Sequence, residues 1–255
     1  SFCNGCVPDQ FKLANVIPIH KKDSVSCMNN YRPISLLSVF NKILERLMTK
    51  RLISFLNKHN ILYNKQFGFR ENYSTSHATL CIVDRIQRAI EEGQYSCGIF
   101  LDFSKAFDTV NHNILLEKLK HYGIRGITND WFVSYLSNRS QYVSIGNKSD
   151  TASITLGVPQ GSVLGPLLFL LYINDFKNCC NIFDFHIFAD DTNLFVSNSS
   201  LLALESLIND NLVNISNWLV ANKLSLNVDK TNFVVFHPPQ KKSNYAISLF
   251  IEGKV

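Results

Sequence analysis

An α+β fold, with an antiparallel sheet flanked by helices, is predicted by three observations on this 255-residue sequence. Long stretches carry apolar residues at three- and four-residue steps, short apolar runs of strand length lie between them, and two of those runs fold back around charged turns. Hydrophobic residues make up 46% and charged residues 18% of the chain, enough for a sizeable core as one large domain or two tightly associated lobes. That composition excludes a disordered tail.

The first element is a strand at Val16–Asp23 that enters a basic loop and returns along Tyr31–Leu36, a hairpin with Lys21 and Lys22 at its tip. From Ile34 to Leu56, Leu37, Phe40, Ile43, Leu44, Leu47 and Met48 predict one long amphipathic helix, with Lys42, Arg46, Lys50 and Arg51 on its polar face. Gln66-Phe67-Gly68-Phe69-Arg70 reads as a loop, and a helix over Ser74–Ile90 stops at Glu92-Gly93. Ser96–Phe103 then reads as a buried strand that delivers Asp102 to its carboxyl end.

Helices follow around Ile114–Tyr122 and Thr128–Leu136, then a hairpin over Gln141–Thr155 turned at Gly146-Asn147. The loop Gly157-Val158-Pro159-Gln160-Gly161 feeds an apolar helix over Val163–Asp175. Asp184–Val196 reads as a third hairpin, with Asp190 and Asp191 at its turn. A strongly periodic helix over Ser200–Asn222 and a strand at Phe233–Phe236 complete the pattern, and Ile247–Val255 reads as a further strand. The longest apolar run, Val163–Ile173, is too short to cross a bilayer and contains Gly165 and Pro166.

Net charge is +5 and the pI is near 8.8, which permits a nucleic-acid partner without requiring one. Seven irregularly spaced cysteines favour reduced thiols in an intracellular protein over a disulfide framework. Cys3 and Cys6 form a C-x-x-C pair with no second half, so a zinc or redox site there is the lesser reading.

The chemistry-bearing residues are the acids. Asp102 at a strand end and Asp190-Asp191 at a hairpin turn can converge from separate elements, as nucleotidyl transfer requires when divalent ions neutralise charge at the attacking and departing oxygens. Magnesium favours such a set, with few carboxylates and room for waters and phosphates. Alone, an Asp-Asp pair is ordinary turn chemistry. Its company is what specifies it. The chain carries Phe-Leu-Asp-Phe-Ser-Lys-Ala-Phe-Asp at 100–108, Gly-Val-Pro-Gln-Gly-Ser-Val-Leu-Gly-Pro at 157–166, Phe-Ala-Asp-Asp at 188–191 and Asn227-Val228-Asp229-Lys230-Thr231, in that order.

In these motifs, and upstream in Val16–Leu37 and Gln66–Arg70, the sequence resembles the reverse transcriptase of non-long-terminal-repeat retrotransposons, especially jockey-like elements. The resemblance covers nearly the whole chain. It implies a right-hand polymerase: fingers over residues 1–95, a palm over 96–255 with some fingers elements inserted, and no thumb. The family's endonuclease would precede residue 1.

The resemblance also implies roles. Asp102 and Asp190 would hold two Mg2+ ions, for which Mn2+ is a possible substitute, with Asp191 beside them and the backbone carbonyl of Phe103 reaching one ion. Phe107 would act as a sugar gate that excludes the ribose 2′-OH, although a core phenylalanine is the bland alternative. Gln160 and Gly161 would lie against the incoming nucleotide and template, Gly161 by permitting close backbone approach. Lys21, Lys22 and Arg32 would clamp the triphosphate, Arg32 most directly, with the choice between the lysines open. Arg70 would touch the template or the fingers loop, unless it is a surface arginine. Lys230 would protonate pyrophosphate or stabilise its charge.

The expected partners are an RNA template, a DNA primer and deoxynucleoside triphosphates, with no membrane, and the expected place of work is the nucleus. Two rivals stand beside this reading. One is a truncated, non-catalytic nucleic-acid-binding remnant of such an element. The other is a different palm polymerase, an RNA-dependent RNA polymerase or a telomerase, which Phe107 and the Phe-Ala-Asp-Asp motif disfavour.

Overall fold

Serine hydroxyls start the three longest helices. Ser38, Ser74 and Ser200 each accept from the backbone amide three residues on, Asn41 at 3.1 Å, His77 at 3.3 Å and Ala203 at 3.5 Å. The computed structural model describes residues 1–241 and 245–251. The chain forms two compact units that interleave in sequence, the first built from residues 1–62 and 107–172, the second from 63–106 and 173–255.

Unit 1 holds a five-stranded sheet. Strand β1 (Leu13–His20) pairs antiparallel with β2 (Tyr31–Leu36), the predicted basic-tipped hairpin. Helix α1 (Val39–Lys58) follows directly. Further along the chain, α3 (His112–His121) and α4 (Ile127–Leu136) precede β4 (Arg139–Ile145), β5 (Asn147–Lys148) and β6 (Ala152–Ile154), which fold as the predicted hairpin around Gly146. Strand β4 also lies parallel to β1, pairing Leu13 with Ser140 through Val16 with Val143, a long-range join with no local signal. The apolar helix α5 (Gly165–Ile173) is buried almost throughout.

Helix α1 departs from expectation in two ways. It begins at Val39, because Ile34 to Leu36 are committed to β2. Its buried face is Asn41, Glu45, Met48, Leu52 and Leu56, whereas Phe40, Ile43 and Leu47 are exposed. The reason is a fully buried carboxylate. Glu45 Oε1 accepts from Asn41 Nδ2 at 2.9 Å and from the Tyr135 hydroxyl at 2.7 Å, and Oε2 accepts from Val163 N at 2.6 Å. With partners on α4 and on the loop before α5, the charge is buried without being stranded. Burial first, and then the Glu45 charge, pushes the Tyr135 hydroxyl pKa up.

Unit 2 holds a four-stranded antiparallel sheet in the order β7, β8, β3, β9, where β3 is Tyr95–Leu101, β7 Asp184–Phe188, β8 Asp191–Asn198 and β9 Asn232–Phe236. Helices α2 (Thr75–Glu91) and α6 (Leu201–Ala221) belong to this unit. The α6 periodicity is matched by its buried residues Leu204, Ile208, Leu212, Ile215 and Leu219. Trp218 packs against Phe176 with the rings tilted, centroids 4.3 Å apart. Of the strand expected over Ile247–Val255, residues 247–250 form no regular element and 252–255 lie outside the described residues. Among the described residues no helix is long and apolar enough to cross a membrane.

Candidate active site

The acids converge in unit 2. In the antiparallel β3–β8 register Leu101 faces Thr192, so Asp102, which follows Leu101, and Asp191, which precedes Thr192, come to the same end of the sheet. The β7–β8 hairpin pairs Phe188 with Asp191 and leaves a two-residue turn, Ala189-Asp190. Asp191 is exposed, yet its carboxyl pKa is pushed up, by burial first and then by the charges of Asp190 and Asp102. Three mutually repelling carboxylates at one sheet end are therefore a site short of positive charge.

Lys230 supplies some of that charge, its Nζ 3.8 Å from Asp102 Oδ2. The peptide that carries it runs along Asp102: Asn227 N donates to Asp102 O at 2.8 Å, Ser104 N donates to Ser225 O at 2.8 Å, and Asp102 N reaches Thr231 Oγ1 at 3.4 Å. The short 3-10 turn Val228–Lys230 then aims the lysine back. Lys230 is 55% and Asp102 36% exposed, so this pair contributes at most ~1 kcal/mol and leaves Asp102 available to a stronger cation. A cleft of about 390 Å³ opens beside these groups, lined by Asp102, Asp191, Asn193 and Lys230 with Thr75 and Thr79 of α2.

Among the described residues, no three His, Cys, Asp or Glu side chains close into a metal cage. The donors at the sheet end are nevertheless all carboxylate oxygens in mutual repulsion. That set fits a hard divalent ion that keeps waters and takes up substrate phosphates.

The residues expected around the nucleotide lie in unit 1. Gln160 Nε2 donates to Asp108 Oδ1 at 3.0 Å, and the Gln160 carbonyl accepts from Ser35 N at 2.7 Å. Gly161 has φ 105°, and a Cβ there would meet Ser35 O at 2.9 Å, so glycine is required by both conformation and space. The loop carrying Gln160 is thus laced to β2, the strand of Arg32. Phe107 packs its half-buried ring on Phe169 of α5, centroids 4.6 Å apart, and Val158 N donates to Phe107 O at 2.8 Å. Lys21, Lys22 and Arg32 are all exposed, on or beside the β1–β2 tip.

Arg70 has work inside its own loop. Its Nη1 donates to the carbonyls of Tyr63 at 2.8 Å and Gln66 at 3.1 Å, and its guanidinium lies 4.1 Å from the Tyr73 ring centroid. Three residues with positions of consequence were given no role from sequence. Asp108 orients Gln160, and Gln66 and Gly68 contact Ala189. Each sits within a motif already singled out.

An acid-tipped hairpin beside a strand-end aspartate, with a lysine returning to that aspartate, is an arrangement consistent with a polymerase palm. Residues 19–246 match the family described as reverse transcriptase (RNA-dependent DNA polymerase), and the chain belongs to that family. Membership implies dependence on a divalent metal.

Among curated proteins, the RNA-directed DNA polymerase from mobile element jockey of Drosophila melanogaster is 33% identical over 243 residues, covering 91% of this chain and 26% of that protein. The probable RNA-directed DNA polymerase from transposon BS of the same species is 32% identical over 240 residues, covering 88% and 26%. The chain is accordingly a jockey-like member of the family, and it spans about a quarter of the length of these relatives.

Similar solved structures include apo telomerase from Candida tropicalis, TM-score 0.65 at 14% identity over 92% of this chain and 46% of that one. Telomerase from Candida albicans in complex with a TWJ fragment of telomeric RNA gives 0.64 at 14%, over 95% and 44%. At that identity the likeness speaks for the fold, a mixed α+β arrangement consistent with polymerase fingers and palm.

Proposed function

We propose that this chain carries the fingers and palm of an enzyme that copies RNA into DNA for retrotransposition, extending a primer 3′-OH with deoxynucleoside triphosphates and releasing pyrophosphate. The observation that carries this reading is the gathering of Asp102, Asp190, Asp191 and Lys230 at one sheet end. Asp102 and Asp190 would hold two Mg2+ ions, or Mn2+ in their place, with Asp191 and the Phe103 carbonyl contributing. When bound, the ions supply Lewis-acid neutralisation of the attacking oxygen and of the departing pyrophosphate.

The protein's own groups do the rest. Lys230 stabilises the leaving pyrophosphate or delivers its proton. Arg32, with Lys21 or Lys22, binds the triphosphate, and Gln160 and Gly161 form part of the nucleotide and template surface. Phe107 excludes the 2′-OH, and its packing on Phe169 supports a ring that stays in position. Arg70 serves the template indirectly, by shaping its loop. The primer would be a nicked chromosomal end, which sets the work in the nucleus.

The deciding experiment is metal-dependent extension of a DNA primer on an RNA template by the chain and by Asp190→Ala. Extension lost in the variant supports the reading. No extension by either, despite salt-sensitive template binding, favours the non-catalytic remnant. Phe107→Ala is expected to raise ribonucleotide use relative to deoxynucleotide use, and unchanged sugar selectivity would remove the gate.

A further inference from the structure

In a two-residue hairpin turn the first turn residue has no ladder partner for its amide. Here that residue is Ala189, immediately before Asp190, and it stands at φ 58°, a region that costs a non-glycine residue about 1–3 kcal/mol unless its surroundings hold it there. The surroundings do. Gln66, only 2% exposed, accepts at Oε1 from Ala189 N at 3.1 Å and from Gly68 N at 2.9 Å, reaching a turn 123 residues further along the chain. Gly68 lies flat on the same turn, and a Cβ there would meet Ala189 N at 2.3 Å and Ala189 Cα at 2.9 Å. The brace is continued by Phe67 N donating to Ile187 O at 2.7 Å and Ile187 N donating to Lys65 O at 2.9 Å.

We infer that Gln66 is a positioning residue of the acidic turn. Its buried oxygen and the bare Cα of Gly68 fix the backbone of Ala189, and through it the placing of the Asp190 and Asp191 carboxylates toward a divalent metal. The inference rests on the reading that these carboxylates bind the polymerase metal. An apolar side chain of equal length would fill the same space. Only an acceptor can hold both amides, and the second of them belongs to the residue before Asp190.

The test compares Gln66→Met, which keeps length and loses the amide acceptor, with Gln66→Glu, which keeps an acceptor oxygen. Mn2+ binding is followed by electron paramagnetic resonance, Mg2+ half-activation by primer extension, and folding by circular dichroism. Gln66→Met is expected to weaken Mn2+ binding and raise the Mg2+ half-activation concentration about 10–100-fold, the usual cost of losing a group that orients a metal ligand. Template-primer affinity should be unchanged, and Gln66→Glu should bind Mn2+ close to wild type.

A folded Gln66→Met with wild-type metal behaviour overturns the inference, as does a Gln66→Glu as impaired as Gln66→Met. Should Gln66→Met not fold, Gln66→Asn withdraws the oxygen by one methylene and carries the same comparison. A wild-type chain that binds Mn2+ but extends nothing counts against the polymerase reading alone, because the Mn2+ comparison still reports on the brace.

Discussion

The two charged hairpins are held in opposite ways. The basic one, between β1 and β2, has a long tip in which residues 21–29 are all exposed, and the side-chain bonds recorded there are local: Asn30 Nδ2 to Ser24 O at 2.8 Å and the Tyr31 hydroxyl to Val25 O at 2.7 Å. The acidic one, between β7 and β8, turns in two residues and is braced at the turn by Gln66 and Gly68. At its other end Asp184 is gripped by Lys65 and flanked by His186 Nε2 at 3.3 Å and Arg85 Nε at 3.9 Å. Carboxylates crowded at one turn must be held against their own repulsion, whereas exposed lysines on a long tip are screened by solvent. Rigidity is therefore concentrated where like charges meet.

Substitutions can break that contrast. The largest effect should come from the braced side, where Asp102→Ala and Asp190→Ala are each expected to lower extension by about 10²–10³-fold or more with folding intact. Robust synthesis by either variant would remove the metal assignment. On the basic side, Arg32→Ala should raise the KM for deoxynucleotide about 10–100-fold with little change in kcat, as loss of a charged hydrogen bond to phosphate predicts. A fall in kcat with KM unchanged would place Arg32 in the chemical step instead.

The third effect is on stability. Burial would raise the Asp184 carboxyl, but the contacts and charges of His186 and Lys65 outweigh it and hold its pKa at about 2, below the ordinary 3.8. A depressed acid stabilises the fold above its unfolded pKa and loses that contribution as pH falls through the folded value. Asp184→Asn should thus be less stable than wild type at pH 7 by on the order of 1–2 kcal/mol. The gap should close between pH ~4 and ~2, and a gap constant with pH would show that the clamp is not electrostatic. Smallest, Lys21→Ala and Lys22→Ala should each raise KM only a few-fold and slightly lower the salt sensitivity of binding, since exposed lysines act as screened point charges. A loss as large as that of Arg32→Ala in one of them would identify the lysine that meets phosphate.

What was legible in the sequence follows the range of the interactions. Helix α6, the β7–β8 hairpin and the strand ending at Asp102 are written in local periodicity and turn residues, and each lies where it was expected. The buried face of α1 departs from its apolar spacing because a distant tyrosine, 90 residues away, makes Glu45 the residue to bury. The parallel pairing of β1 with β4 and the Gln66 brace were hidden for the same reason, as both join segments more than 100 residues apart. The acids could be picked out because their motifs are short and contiguous. The groups that hold or orient their neighbours could not, since Asp108, Gln66 and Gly68 act on residues elsewhere in the chain.

The Glu45 knot bears on how copies of such an element are judged intact. A genomic copy scored only by Asp102, Asp190 and Asp191 is blind to the three hydrogen bonds on Glu45, which lie in the other unit. Deleting one partner of a buried, hydrogen-bonded charge costs several kcal/mol, a large share of the stability of an ordinary domain. A copy that has drifted from Tyr135 to an apolar residue would keep Asp102, Asp190 and Asp191 on paper and still be a fossil.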